Sequence, residues 1–250
     1  YFTMLSERPA EIARLLSLLE EFGKYGVTWK LLGTLETGDP YLNRKIGDLS
    51  LIFQEYERMK SGRYTDENDI FEKMQGKSYK ADCTVPREDL RYLHVLHMGF
   101  DGQTKEGELV VNKAIAEDVL AIFRQLYEAE YPIEKVRLVD EYDADDEASM
   151  AANNTSSFNY RKVANSSKMS KHSQGLAIDI NPRINPYITK YGIAPANSKV
   201  YRNRNVATCR GKYRDYMIHR GDEVYRIFKK NGFSWGGDWK YSKDYQHFER

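Results

Sequence analysis

The segment SKHSQGLAIDI, at positions 170–180, restricts the local fold more than any other part of the chain. After Gly175 the apolar and polar residues alternate, which is the period-2 pattern of a half-buried β-strand. The alternating residues are Leu176, Ala177, Ile178, Asp179 and Ile180. An aspartate inside a strand needs a partner or water, and His172 precedes it by seven positions. On a flat strand the two would lie on opposite faces, but a turn at Gly175 would fold the histidine back over the aspartate.

Composition limits the class of protein. The chain has 250 residues, of which 30% are charged and 41% hydrophobic, and its net charge is +1. This length fits one large domain, or a medium domain with an extension. No apolar run approaches eighteen residues, so we expect no membrane span. The even charge balance, with no segment dominated by Lys and Arg, predicts that nucleic acid is not a partner.

The chain begins at Tyr1 rather than Met, as expected where an N-terminal signal or tag has been removed. The two cysteines, Cys83 and Cys209, are far apart and form no CxxC pair, so they do not indicate a zinc knuckle. They are compatible with one disulfide in an exported protein, or with two free buried thiols.

The first 78 residues are predicted to form a helical N-terminal extension. Three segments have apolar residues at helical spacing, with capping residues before them and glycines after them. They begin at Pro9, Asp48 and Thr65 and end at Gly23, Gly62 and Gly76. The extension has no histidine and no cysteine, so we expect it to pack on or position the next domain.

Residues 79–250 are predicted to form a second, larger domain. Helices are expected at 112–133 and 221–233, strands at 134–143 and 244–249, and a polar loop at 143–161. Because strands and helices mix without regular alternation, we predict an α+β fold, with a small antiparallel sheet and flanking helices. His94 and His97 would share a face of a helix, but their apolar neighbours favour a buried structural role.

A metal site is one interpretation of His172 and Asp179. Catalytic zinc has three protein ligands and keeps one position for water, and the third ligand could be His219 or His247. We favour His247, because Asp244 lies three positions before it and could reach the water. The alternative is that His172 and Asp179 simply pair. The donor set suits zinc but also tolerates cobalt or manganese.

Zinc would make water a nucleophile at neutral pH, and Asp244 would take the proton and return it to the leaving amine. Arg161 could stabilise the oxyanion. Its alternative role is an ion pair with the acidic run at 143–147.

These motifs resemble the LAS group of zinc peptidases, and most closely its D-Ala-D-Ala carboxypeptidase and L-Ala-D-Glu endopeptidase family. The family signature is Ser-x-His-x-x-Gly-x-Ala-x-Asp, a Trp-Gly-Gly-Asp-Trp run and Asp-x-x-His. Matching segments begin at Ser170, Trp235 and Asp244. The resemblance covers about residues 78–250. It implies that His172, Asp179 and His247 bind Zn²⁺, that Asp244 is the catalytic base and, less directly, that Arg161 holds the substrate.

The resemblance implies a bacterial, extracellular or wall-associated peptidase that acts on D-amino-acid-containing stem peptides of peptidoglycan. It leaves open whether the enzyme is a carboxypeptidase or an endopeptidase, and the Trp-Gly-Gly-Asp-Trp form is slightly more typical of the endopeptidase branch. The rival is a non-catalytic zinc-containing binding module on the same scaffold. Residues 1–78 could also bind the wall or cover the cleft.

Overall fold

The computed structural model describes residues 67–163 and 166–250, together with two single helical positions, Glu21 and Lys24. The chain divides into two compact units, Tyr1–Asp66 and Glu67–Arg250, and only the second is described below. The two helices predicted from Pro9 and Asp48 therefore lie outside the described residues, apart from those two positions. Within the described part of the chain, no helix has the length and apolar character needed to cross a membrane.

The second unit mixes helices with short strands, which confirms the predicted α+β class. Its α-helices are α1 (Glu67–Met74), α2 (Ala116–Glu128), α3 (Asp146–Ala151) and α4 (Glu223–Lys230). Its strands are β1 (Leu90–Met98), β2 (Thr104–Asn112), β3 (Lys135–Val136), β4 (Asn154–Thr155), β5 (Ala177–Asp179), β6 (Tyr187–Ile188), β7 (Ile193–Ala194), β8 (Ser234–Trp235), β9 (Lys243–Asp244) and β10 (His247–Glu249).

The long β1–β2 hairpin and helix α2 share the main core with helix α4 and the strands β5, β8 and β10. Leu90 pairs with Asn112 and Met98 with Thr104, so the two strands are in register along their whole length. Helix α2 lies within the predicted range of 112–133 but is shorter at both ends. It ends before Pro132, as the sequence predicts. Its buried stripe consists of Ala116, Val119, Ile122, Phe123 and Leu126. Burial of apolar area contributes about 25 cal/mol per Å², so this stripe stabilises the packing of α2 in the core.

Helix α1 belongs to this unit, although the sequence predicts that its segment is part of the N-terminal extension. Ile70 and Met74 are buried against Phe158 and Leu138. The division of the chain falls at Asp66, twelve positions before the predicted boundary at residue 78. The side chains of α1 therefore complete a satellite core rather than a separate domain.

Two small antiparallel sheets position the candidate site. In the first, β10 lies between β5 and β8, and its Phe248 stacks on Phe228 of α4 with ring centroids 3.9 Å apart. In the second, β6 lies between β7 and β9, and Tyr187 pairs with Asp244. Since β9 and β10 are separated by only two residues, the sheets hold Asp244 close to His247.

Several local predictions were wrong. Strand β5 is buried on both faces rather than one, and the segment at 156–157 lies along its edge, with hydrogen bonds to Ala177 and Asp179. The predicted strand at 134–143 shortens to β3 and continues as a 3-10 helix. The predicted polar loop at 143–161 contains α3 and β4, because the Asp145 side chain caps α3 by accepting a hydrogen bond from the Ala148 N–H.

The two cysteines are free thiols. Cys209 is buried and Cys83 is half-buried, and each belongs to a different apolar cluster. The disulfide interpretation is therefore wrong, and only the alternative of two unpaired thiols fits the structure.

Candidate metal centre and active site

His172 lies in a short 3-10 helix, Lys171–Gln174, immediately before β5. The Ser170 hydroxyl caps this helix by accepting a hydrogen bond from the His172 N–H at 3.2 Å. Gly175 then takes the left-handed conformation, with φ of +67°, and a Cβ there would lie 2.7 Å from the backbone nitrogen of Asn112. Glycine is required on both counts, and this turn brings His172 over the strand that carries Asp179.

His247 reaches the same point from the neighbouring strand. Residue His247 of β10 is the direct antiparallel partner of Asp179 in β5. Cross-strand partners have Cβ atoms about 5 Å apart on one face of a sheet. The register therefore places the imidazole and the carboxylate side by side.

Three donor atoms converge between these side chains. His172 Nε2 lies 3.2 Å from His247 Nδ1 and 3.2 Å from Asp179 Oδ2. His247 Nδ1 lies 3.0 Å from Asp179 Oδ1. In a tetrahedral zinc site with metal–ligand distances near 2.0–2.1 Å, neighbouring ligand atoms are about 3.4 Å apart. Among the described residues this is the one cluster of three potential metal ligands, and all three side chains are buried.

The second ring nitrogen of each histidine has its own acceptor. His172 Nδ1 lies 2.6 Å from the Ser157 carbonyl oxygen, and His247 Nε2 lies 3.1 Å from Glu249 Oε2. Each acceptor can take the N–H of its ring, so that the other nitrogen, once deprotonated, directs its lone pair into the cluster. Such partners fix the tautomer and orientation of metal-bound histidines, so the donor set fits a divalent metal of the zinc type.

The charges of the cluster are strongly coupled. Burial disfavours the Asp179 anion, but the charges and hydrogen bonds of His172 and His247 outweigh it and hold the pKa of that carboxyl well below its usual range. Burial also opposes the His247 cation, but hydrogen bonds to Asp179 and Glu249 raise the pKa of this imidazole to about 10. Without a metal, a proton on His247 therefore offsets the buried negative charge of Asp179.

Asp244 lies at the edge of this cluster on β9. Its Oδ1 atom is buried and accepts no hydrogen bond from the described residues. Burial and the negative charge of Asp179 raise its pKa to about 7. A carboxylate with a free buried oxygen and a pKa near neutrality has the properties of a general base.

The Trp-Gly-Gly-Asp-Trp run packs closely against Asp244. A Cβ at Gly236 would lie 2.6 Å from the Asp244 carbonyl oxygen and 2.8 Å from the Asp244 Cβ. Glycine thus permits the backbone at 236 to lie directly against the candidate base. Trp235 is 3% exposed and donates from its indole to the Tyr245 carbonyl, whereas the ring of Trp239 lies 5.4 Å from the ring of His247. Trp235 is thus buried packing, while Trp239 lies beside the cluster.

Arg161 lies near the site, but its guanidinium forms no hydrogen bond or ion pair with His172, Asp179 or His247. Its guanidinium pairs with Asp146 Oδ2 at 2.8 Å. This ion pair with the acidic run at 143–147 is the alternative role that the sequence predicts for Arg161. Its backbone carbonyl accepts a hydrogen bond from Ser170 and its N–H donates to Ser173 Oγ. The charge of Asp146 also contributes to the raised pKa of Asp244. The Arg161–Asp146 pair therefore lies within electrostatic range of the candidate base.

The remaining histidines lie elsewhere. His219 is half-buried, and its N–H donates to Asp222 before helix α4; it is not part of the cluster. His94 and His97 are on strand β1, where a spacing of three places them on opposite faces. His94 pairs with Glu106 across the hairpin, and His97 bonds to the Ile133 carbonyl.

Comparison with known proteins agrees with this geometry. Residues 164–250 match the family model described as D-alanyl-D-alanine carboxypeptidase. The resemblance to LAS-type peptidases is confirmed. The matched region contains all three cluster residues and Asp244, whereas Arg161 lies just before it. Residues 1–89 match a second family model, described as ADDB, N-terminal. Searches of curated proteins and of solved structures found no match.

Two residues that contact the cluster, Glu249 and Ser157, are not among the predicted site residues. Glu249 lies two positions after His247 on a strand, so the period-2 rule places both on one face, and this signal could have identified it. Ser157 contributes only a backbone carbonyl, which no residue pattern reveals.

Proposed function

We propose that this protein is a zinc-dependent peptidase that hydrolyses D-amino-acid-containing stem peptides of bacterial peptidoglycan. The observation that carries the proposal is the convergence of three buried donor atoms, from His172, Asp179 and His247, next to the unpartnered Oδ1 of Asp244. The family match to a D-alanyl-D-alanine carboxypeptidase supports the substrate class. Such a substrate would place the protein outside the cell or at the bacterial wall.

His172, Asp179 and His247 would hold the metal, with Ser157 and Glu249 fixing the two imidazoles. When bound, zinc supplies Lewis acidity, which polarises a carbonyl and makes water a nucleophile near neutral pH. Asp244 would accept the proton of the attacking water at its free oxygen and deliver it to the amine of the leaving fragment. Arg161 would hold a carbonyl oxygen of the substrate and stabilise its growing negative charge.

Of the two bonds that the family cuts, we favour the internal L-Ala–D-Glu bond. A carboxypeptidase needs a free cation for the terminal carboxylate of its substrate, but Arg161 is already neutralised by Asp146. A neutralised guanidinium can still donate hydrogen bonds to an uncharged carbonyl oxygen. An endopeptidase needs only these hydrogen bonds to a carbonyl oxygen of its substrate.

The test is digestion of purified peptidoglycan and of a soluble pentapeptide stem, with and without Zn²⁺, analysed by mass spectrometry. We expect peptides that begin with D-Glu from the wild type and none from Asp244→Ala, which should still bind zinc. Loss of a terminal D-Ala instead would replace the endopeptidase by a carboxypeptidase. Zinc binding without any product would favour the non-catalytic module.

A further inference from the structure

The residues at 199–214, here called the basic segment, concentrate positive charge. They include no Asp or Glu, and their cations are Lys199, Arg202, Arg204, Arg210, Lys212 and Arg214. The whole chain has a net charge of only +1, so the rest of the chain is net negative. The expectation that no segment is dominated by Lys and Arg is therefore wrong, because the overall balance conceals this one.

Five of these six cations are exposed, and among the described residues none of the five forms an ion pair. They are Lys199, Arg202, Arg210, Lys212 and Arg214. Elsewhere in the described unit, some surface cations, such as Lys77, Lys113 and Arg124, are paired with carboxylates, whereas others, such as Lys80 and Lys229, are also exposed without an ion pair. Unpaired like charges raise the local positive potential, which attracts anionic partners.

The basic segment folds back on itself into a single surface feature. The Tyr201 ring lies so close to Gly211 that a Cβ there would be 2.1 Å from the ring. The Tyr213 N–H donates to the Tyr201 hydroxyl, and the Cys209 thiol donates to the Val200 carbonyl. These contacts join the two halves of the segment, so Arg202 is brought to the same lobe as the cations at 210–214.

The sixth cation, Arg204, anchors this lobe to the segment between β9 and β10. The Arg204 guanidinium donates to the Ile184 carbonyl, to Asn185 Oδ1 and to the Ile218 carbonyl. It also lies 4.3 Å from the ring centroid of Tyr245, the residue that follows Asp244. A polymer bound along the lobe would therefore lie near the strand that carries the base.

We propose that the basic segment binds the peptidoglycan polymer itself, through the carboxylates of stem peptides that are not in the cleft. This inference rests on the proposed function, and it adds a second contact with the same substrate. Guanidinium groups match carboxylates in a two-point geometry. Each exposed ion pair is weak. Once one cation is bound to the repeating polymer, however, the other carboxylates of the polymer are at a high effective concentration, which strengthens the total binding.

The test is co-sedimentation with insoluble peptidoglycan freed of phosphodiester polymers, at increasing salt. All proteins carry Asp244→Ala, so that the polymer is not digested. The test variant replaces Arg202, Arg210, Lys212 and Arg214 by Gln. The control variant removes the same charge elsewhere on the exposed surface, by Lys80→Gln, Lys168→Gln, Lys229→Gln and Lys230→Gln. The double variant Arg202→Gln/Lys212→Gln serves if the fourfold variant melts early.

We expect the fourfold test variant to bind about tenfold more weakly at low salt, the double variant to show an intermediate loss, and the control to bind as the parent does. The difference between parent and test variant should shrink at high salt, because salt screens exposed charges. Equal binding by test and control variants would overturn the proposal, and so would tighter binding of the parent to duplex DNA than to peptidoglycan. Cleavage of the soluble stem peptide by the wild type is scored separately, so a failure of the proposed function is distinguishable from a failure of polymer binding.

Discussion

His247 Nδ1 lies 3.0 Å from Asp179 Oδ1, and the two residues are direct partners in the antiparallel pair of β10 and β5. The cluster is therefore built on hydrogen-bonded strands rather than on loops, which holds its donor atoms in a fixed geometry. Only His172 comes from outside the sheet, and its position depends on the Ser170 cap and the Gly175 turn.

Glu249 should strengthen metal binding through His247. We expect Glu249→Ala to weaken zinc affinity about 10- to 100-fold, because the His247 imidazole loses the acceptor that orients it. Glu249→Gln should lose less, because its amide oxygen can still accept the Nε2–H. The measurement is competition with a chromophoric chelator. If the Ala and Gln variants both bind zinc as the wild type does, Glu249 has no orienting role.

Zinc binding should release a proton from His247. The pKa of this imidazole is raised to about 10 in the metal-free protein, so it is a cation at pH 7 and its Nδ1 must be deprotonated before it can bind a metal. The apparent zinc affinity should therefore rise about tenfold per pH unit near neutrality. Calorimetry in two buffers of different ionisation enthalpy measures the released proton directly. Identical heats in both buffers would contradict the prediction.

Asp146→Asn should shift the pH dependence of catalysis. The negative charge of Asp146 contributes to the raised pKa of Asp244, after burial and Asp179. Removing that charge lowers the pKa of Asp244, so the base remains deprotonated to a lower pH. The acid limb of the kcat/KM profile should move to lower pH by less than about one unit. Glu141→Gln removes one exposed charge of the same sign and is the matched control. A shift to higher pH, or an equal shift in both variants, would exclude this coupling.

Buried His97 should make folding pH-dependent. Burial lowers the pKa of this imidazole to about 4, whereas in the unfolded chain it is about 6.5. As the pH falls from 6.5 towards 4, the unfolded state binds the proton first, so the free energy of unfolding decreases. We expect a loss of about 2 kcal/mol between pH 7 and pH 5 from this residue. His97→Asn, which keeps a donor for the Ile133 carbonyl, should lose that part of the slope in urea unfolding at the two pH values. An unchanged slope would rule out His97 as its source.

Local patterns predicted the regular elements well where one physical signal dominated. The apolar stripe of α2, the Asp222 cap of α4 and the period-2 run after Gly175 each produce the expected element. The predictions failed where tertiary contacts decide. The loop at 143–161 gains α3 and β4, and α1 joins the second unit because Ile70 and Met74 are buried there.

The sequence by itself determined which side chains could hold a metal, because the glycine turn, the strand alternation and the spacing of Asp244 and His247 are local properties. Only the tertiary structure decided between His219 and His247, since strand register places His247 opposite Asp179 while His219 precedes helix α4. It also decided the partners of each group: Glu249 for His247, the Ser157 carbonyl for His172 and Asp146 for Arg161. Distances of about 3 Å between residues far apart in the chain depend on how the sheets pack, and no spacing in the sequence encodes them.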